Sequence, residues 1–206
     1  MFARIAPRYE LANHVLTGWQ DRRWRRFVAQ QAELPPRGFL LDLGAGTGSL
    51  SQHSLAQQPD IHPVSVDFTP RMMHIGRQNT SPDSISWSAA DALQLPFPEN
   101  TFDAVVCGFL LRNVSDLERC LREAHRVLKP GGSFVSLDTT QPPSNLLTPL
   151  IRCHLQQVIP RLGKWITGNE EAYQYLQRSS AHFLRAEKLL AYLAAFGFQK
   201  LRFRRF

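Results

Sequence analysis

Between positions 38 and 140, short apolar runs alternate with stretches whose apolar residues recur every three or four positions. That is the rhythm of a parallel sheet with helices on both faces. The runs are Phe39–Leu43, Val64–Val66, Ile85–Trp87, Phe102–Phe109 and Phe134–Leu137, and they predict five strands. The best-defined helix lies between the last two: Ser115 and Glu118 have capping-box spacing, and Leu117, Cys120, Leu121, Ala124, Val127 and Leu128 form one apolar stripe. Pro130-Gly131-Gly132 is expected to stop it. Ahead of this block, residues 8–31 read as helix with Leu16, Trp19, Phe27 and Val28 on one face. Behind it, Gln141-Pro142-Pro143 opens a mixed helical segment carrying Tyr173, Tyr175 and Leu176. Ala186 to Phe196 reads as a last helix closed by Gly197, and the imperfect alternation of Leu201, Phe203 and Phe206 with Lys200, Arg202 and Arg204 predicts a sixth strand. The organisation expected is one domain over residues 1–206: a helical arm (1–37), a ligand-binding core (38–140) and a substrate-side segment (141–206).

Length and composition agree with one globular domain, since 206 residues with 43% hydrophobic and 20% charged positions leave room for a large core. The longest apolar stretch, Ala104 to Leu111, falls short of the roughly 18 residues a membrane span needs, and no charged-then-apolar leader opens the chain. Cys107, Cys120 and Cys153 are odd in number and widely spaced, which fits a reducing cytoplasm better than a disulfide framework. The net charge of +7 is uneven: Arg22, Arg23, Arg25 and Arg26 crowd the arm, and Arg202, Arg204 and Arg205 crowd the end. Such a field attracts nucleic acid or anionic lipid without reading either. The seven histidines show no HExxH or paired ligand spacing, so no metal site is expected.

Gly44-Ala45-Gly46-Thr47-Gly48 follows the first strand directly. Glycines at that point allow a turn tight enough for a ligand to lie against bare backbone. The spacing is GxGxG, so neither the GxGxxG dinucleotide fingerprint nor a P-loop is met. Asp67 stands 23 residues after Gly44 at the tip of the second strand, where a carboxylate can accept both hydroxyls of a ribose. Asp91 follows the third strand, placed to meet an adenine edge. Three strand ends converging on a nucleoside, with no phosphate binder in view, favour S-adenosylmethionine over NAD.

The chain resembles the S-adenosylmethionine-dependent C-methyltransferases of ubiquinone and menaquinone biosynthesis. The likeness runs from Phe2-x-x-Ile5-Ala6-x-x-Tyr9-Glu10-x-x-Asn13 through Trp24-Arg25-Arg26, the Leu41–Gly48 turn, and Asp67 with Met72-Met73 behind it. It continues through Asn100-Thr101-Phe102-Asp103, Leu111-Arg112-Asn113-Val114-x-Asp116 and Arg126–Gly132, and reaches Ile159–Gly163 and Ala172–Leu176. The glycine turn is common to all class I methyltransferases; the Leu-Arg-Asn-Val run is close to a family signature. The resemblance implies an α/β fold, the Rossmann-like three-layer sandwich of class I methyltransferases with a mostly parallel central sheet. The seventh strand that normally completes it is not found before Phe206, which leaves three readings open: a shortened chain, a sheet that closes differently, or an exposed edge that would invite pairing with another chain, a homo-oligomer included.

Carried over by position, the resemblance implies a cofactor site of Gly44, Gly46, Thr47 and Gly48 in the turn, Asp67 with Phe68 at the ribose, Asp91 with Ala92 at the adenine, and Gly108 below the reacting sulfur. Tyr9 closes over it from the arm. Arg112 and Asn113 mark the ring-methylation site. Leu110 stands where glycine is usual, Gly108 where serine is frequent and Asp138 where glutamate is common. The cofactor implied is S-adenosyl-L-methionine, released as S-adenosyl-L-homocysteine, with no metal. The substrate implied is a prenylated quinol, most naturally a demethylmenaquinol.

A quinol carbon becomes a useful nucleophile when its hydroxyl loses a proton, and a phenol-like pKa near ~10 leaves little anion at neutral pH. Arg112 suits the oxyanion as a permanent cation, with Asn113 as a further hydrogen-bonding group; Arg112 is no base itself. Water or Asp138 is left to take the proton. Two other readings compete: a methyltransferase of the same fold acting on a benzoquinol or a soluble small molecule, and a non-catalytic nucleoside- or nucleic-acid-binding module. The aromatic, arginine-rich arm also suits peripheral contact with the inner membrane face.

Overall fold

The computed structural model describes residues 5–140, 175 and 178–206. Five strands, β1 (Phe39–Leu43), β2 (His62–Asp67), β3 (Ser86–Ala89), β4 (Phe102–Gly108) and β5 (Leu128–Leu137), form one sheet in the order β3-β2-β1-β4-β5. Every pairing is parallel, so all five carboxyl ends lie along one edge. Chain order reverses between β1 and β4, and the crevice at such a switch point is where open α/β sheets bind ligands.

The helices are α1 (Tyr9–Leu16), α2 (Gln20–Gln31), α3 (Ser49–Gln57), α4 (Pro70–Gln78), α5 (Leu117–Val127) and α6 (Ala186–Ala195). Alternation along the central strands sends side chains to two cores, which is why helices cover both faces. Leu41, Leu43, Val105 and Cys107 face a core shared with Leu121, Ala124 and Leu193 from α5 and α6. Leu40, Ala104 and Val106 face the other, with Val28 of α2 and Leu50 of α3. The result is three layers around the expected strands.

Four local expectations need correction. The arm is two helices, not one: Trp19 takes a left-handed φ of 61° after Gly18 (φ 58°), which turns the chain between α1 and α2 and leaves Trp19 53% exposed. The cap of α5 is Asp116, whose carboxylate accepts from the Arg119 amide at 2.9 Å; Ser115 lies one residue too early. That helix ends at Val127, before the Pro-Gly-Gly run, which is absorbed into β5 as an irregularity: Phe102 pairs with Leu128 and Ala104 with Ser133. Finally, residues 198–206 form no strand. Their aromatic rings go to the flanks instead, Phe198 to Phe134 and Phe206 to Trp24 and Phe27, and among the described residues no strand lies beyond β5 to offer a ladder. Of the earlier expectations, Ile159–Gly163, Tyr173, Leu176 and Cys153 lie outside the described residues.

Candidate active site

The carboxyl edge of the sheet brings together most of the residues singled out from sequence. Gly44, Gly46 and Gly48 all hold left-handed backbone (φ 67°, 58° and 74°) immediately after β1. A side chain at Gly44 would meet the Leu110 methyl at 2.7 Å, so Leu110, from the loop after β4, lies directly on the turn across the switch point. Asp67, at the tip of β2, holds that turn: its Oδ2 accepts from the Gly46 amide at 2.8 Å and its Oδ1 from the Thr69 amide at 2.6 Å. A carboxylate has about four acceptor positions, so both oxygens keep capacity for a diol. Next to it Phe68 is 78% exposed. Asp91 is exposed beyond β3 and accepts from the Leu93 amide at 2.9 Å, with Ala92 between them. Gly108 ends β4, and a Cβ there would come within 3.1 Å of Leu50.

Arg112 is buried, not the surface arginine that a partner such as Asp116 or Glu118 would make it. It forms a short ion pair through Nη1 with Asp138 Oδ1, both side chains nearly inaccessible, and its backbone amide donates to Asp138 Oδ2 at 3.2 Å. The guanidinium lies 5.2 Å from the centre of the Phe109 ring. Asn113 Nδ2 donates to the Phe109 carbonyl at 2.6 Å. Two buried atoms of this pair, Arg112 Nε and Asn113 Oδ1, have no partner; unpaired buried polar atoms are costly and mark places where a ligand completes the bonding. Burial raises the Asp138 carboxyl above its ordinary value, and Arg112 pulls it back only in part. Burial likewise pushes the Tyr9 phenol up, against the charges of Arg25 and Arg112.

Among the described residues, Tyr9, Asn13, Phe109, Arg112 and Asp138 are part of the lining of a cleft of about 2060 Å³. It exceeds the roughly 300–1,000 Å³ of an ordinary small-ligand pocket. The glycine-turn residues do not line it.

Sequence reasoning missed the part of the arm that touches the turn. Glu10 Oε1 accepts from the Thr47 hydroxyl at 2.5 Å, and Glu10 Oε2 accepts from Arg25 Nη1 at 2.6 Å. Glu10 and Arg25 are separated by the helix break at Trp19, so no periodic pattern links them. Arg25, one of the four arginines that crowd the arm, is 4% exposed and points inward. Glu10, His14 and Asp21 also bring ligand atoms within 4.8 Å of one another, but Arg25 already supplies the positive charge there, 3.3 Å from Asp21. Asp42, at 1% exposure on β1, accepts from both the amide and the hydroxyl of Ser51 at 3.0 and 2.9 Å, tying β1 to the first turn of α3.

A parallel sheet flanked by helices, with a glycine turn after its first strand and an acid at the next strand tip, is the class I methyltransferase architecture. Solved structures share it: a putative methyltransferase of Haloferax volcanii bound to its Trm112 activator aligns with a TM-score of 0.68 at 20% identity, covering 96% of this chain and 76% of that one. The [4+2]-cyclase SpnF aligns at 0.69 and 22% identity, covering 96% and 69%. The chain belongs to the ubiE/COQ5 methyltransferase family, whose model matches residues 1–206. It is 41% identical to the ubiquinone/menaquinone biosynthesis C-methyltransferase UbiE of Desulfotalea psychrophila over 206 residues, all of this chain and 84% of that protein. To the demethylmenaquinone methyltransferase of Thermus thermophilus it is 42% identical over 200 residues, 96% of this chain and 91% of that protein. Among the described residues no helix is long and apolar enough to cross a membrane.

Proposed function

We propose that this chain is an S-adenosylmethionine-dependent C-methyltransferase of quinone biosynthesis that methylates the ring of a prenylated naphthoquinol, a demethylmenaquinol. The observation that carries the reading is Arg112: a buried guanidinium pinned by Asp138, with Nε unpaired, that lines a large cleft. Family membership and relatives named for this chemistry support it.

The residues at the sheet edge fit the cofactor. Asp67 has acceptor capacity left for a ribose diol, Phe68 presents an exposed ring beside it, and Asp91 with Ala92 is open at the neighbouring strand end. Gly44, Gly46, Thr47, Gly48 and Gly108 form the floor in this reading, and Tyr9 the cover. When bound, S-adenosylmethionine supplies an electrophilic methyl group on a sulfonium. The chain's own residues do the rest. Arg112 Nε donates to the quinol oxygen and stabilises its anion, which raises electron density at the adjacent ring carbon. Asn113 Oδ1 accepts from a second ring hydroxyl and sets the ring's orientation. Asp138 is committed to Arg112, so its work is to hold the guanidinium, and the quinol proton leaves to water in the cleft.

Peripheral membrane contact rests on three arginines, not four: Arg22, Arg23 and Arg26 are exposed on α2, with Trp19, Phe203 and Phe206 exposed around them. Charge reversal of those three is expected to abolish flotation with anionic liposomes, and unchanged flotation would remove this part of the reading. For the reaction, the protein is incubated with labelled S-adenosylmethionine and reduced demethylated naphthoquinols and benzoquinols. Label in the naphthoquinol ring is expected; label confined to a benzoquinol or to a soluble acceptor would overturn the assignment.

A further inference from the structure

Outside the residues assigned above to the nucleoside, one guanidinium at the glycine turn is buried, braced from behind and closed on a carboxylate. The Arg25 side chain is 5% exposed. Behind it lies Asp21, fully buried, 3.3 Å from Arg25 Nη1 and itself fixed by His14 Nδ1 at 2.7 Å and the Thr17 hydroxyl at 3.0 Å. In front, the same Nη1 donates to Glu10 Oε2 at 2.6 Å and to Ser49 Oγ at 2.7 Å, while Thr47 Oγ1 donates to Glu10 Oε1 at 2.5 Å. A carboxylate is thus gripped through both oxygens by a cation and a hydroxyl of the turn, in the charge-assisted geometry that recognises carboxylates.

The two sides of this contact differ in freedom. Arg25 and Asp21 cannot leave without stranding buried charge, a loss of several kcal/mol in general. The Glu10 side chain is 32% exposed, so its carboxylate can swing into water with the receptor left intact. A built site with a removable occupant has the form of a ligand site filled by a stand-in. The stand-in's chemistry names the ligand group: an α-carboxylate arriving at Thr47.

We propose that Arg25, with Thr47, receives the α-carboxylate of the amino-acid tail of S-adenosylmethionine, and that Glu10 occupies this receptor until the cofactor displaces it. The proposal rests on the cofactor reading above. It makes Glu10 an internal competitor for the cofactor's tail.

Calorimetry on the full chain tests it with two ligands: S-adenosylhomocysteine, and 5′-methylthioadenosine, which keeps the nucleoside and thioether but lacks the amino acid. Loss of a hydrogen bond to a charged group predicts that R25Q weakens S-adenosylhomocysteine about 10- to 100-fold and leaves methylthioadenosine unchanged. Because R25Q strands Asp21, E10Q is the decisive variant. Removing the competitor is expected to tighten S-adenosylhomocysteine about threefold or more, by raising the fraction of open receptor, again without effect on methylthioadenosine. If E10Q leaves S-adenosylhomocysteine binding unchanged or weakens it, or R25Q weakens both ligands alike, the receptor is overturned while the nucleoside site stands. If the wild-type chain binds neither ligand, the cofactor reading itself fails, and the proposal with it.

Discussion

Asp42 offers a test of the site's internal electrostatics that needs no substrate. Its carboxyl is 1% exposed, and Oδ1 has no partner, while Oδ2 takes both bonds from Ser51. Burial dominates, with the charge of Asp67 adding to it, and lifts the carboxyl from 3.8 to about 6 against the two Ser51 hydrogen bonds. At about 1.4 kcal/mol per pH unit, that difference corresponds to about 3 kcal/mol between the two protonation states. The folded chain holds this proton more tightly than the unfolded chain. The group's stabilising contribution is therefore complete below pH 3.8, declines as pH rises, and is lost above about 6. Asp42→Asn cannot ionise, and its amide oxygen can still accept from Ser51. Above pH 6 the variant escapes the cost of about 3 kcal/mol, a figure in which the Ser51 bonds to the carboxylate are already counted. The net expectation is a gain of about 3 kcal/mol at pH 7.5, shrinking to about 1 kcal/mol at pH 4.5, where the folded carboxyl keeps its proton but the unfolded one has mostly lost it. Urea unfolding of wild type and variant at both pH values gives the difference directly, with titration of all other groups common to the pair. A loss of similar size at both pH values would refute the reasoning, because it would mean the buried carboxylate is ionised and favourably paired throughout.

Other expectations concern the site and its support. Arg112→Ala should lower kcat for quinol methylation by about 100- to 1,000-fold with S-adenosylhomocysteine affinity unchanged in calorimetry; equal loss of both would make Arg112 a structural residue. Gly76→Ala places a methyl 2.9 Å from the Thr47 carbonyl and into the Trp87 ring, so it should cost about 1–3 kcal/mol in urea unfolding. Burial pushes the Cys120 thiol up to about 12, and burial raises the Cys107 thiol well above its ordinary value. With thiolate so scarce, a Cys153→Ser background should show no thiol reacting with a disulfide reagent at pH 8 until denaturant is added.

What the chain announced by itself was local and repetitive. Strand positions were legible because a sheet covered on both faces needs near-continuous apolar runs, and Phe39–Leu43 or Phe102–Gly108 can be little else. The Gly44–Gly48 turn was legible because left-handed backbone at three positions within five residues selects glycine. Asp67 and Asp91 could be placed because both follow strands, and in a parallel sheet all strand ends share an edge. Three-dimensional packing alone settled the rest. Arg25 could not be told from Arg22, Arg23 and Arg26 by charge, since its inward setting depends on Glu10 and Ser49 reaching it from two other helices, beside Asp21 of its own. Asp138 and Arg112 lie 26 residues apart and meet only because β4 and β5 are neighbours. The aromatic run at 198–206 alternates well enough for a strand, but a strand exists only where another backbone offers hydrogen bonds. Contacts distant in sequence carry no periodic signal, and it is those contacts that decide which charges are buried and which ends of the chain find a partner.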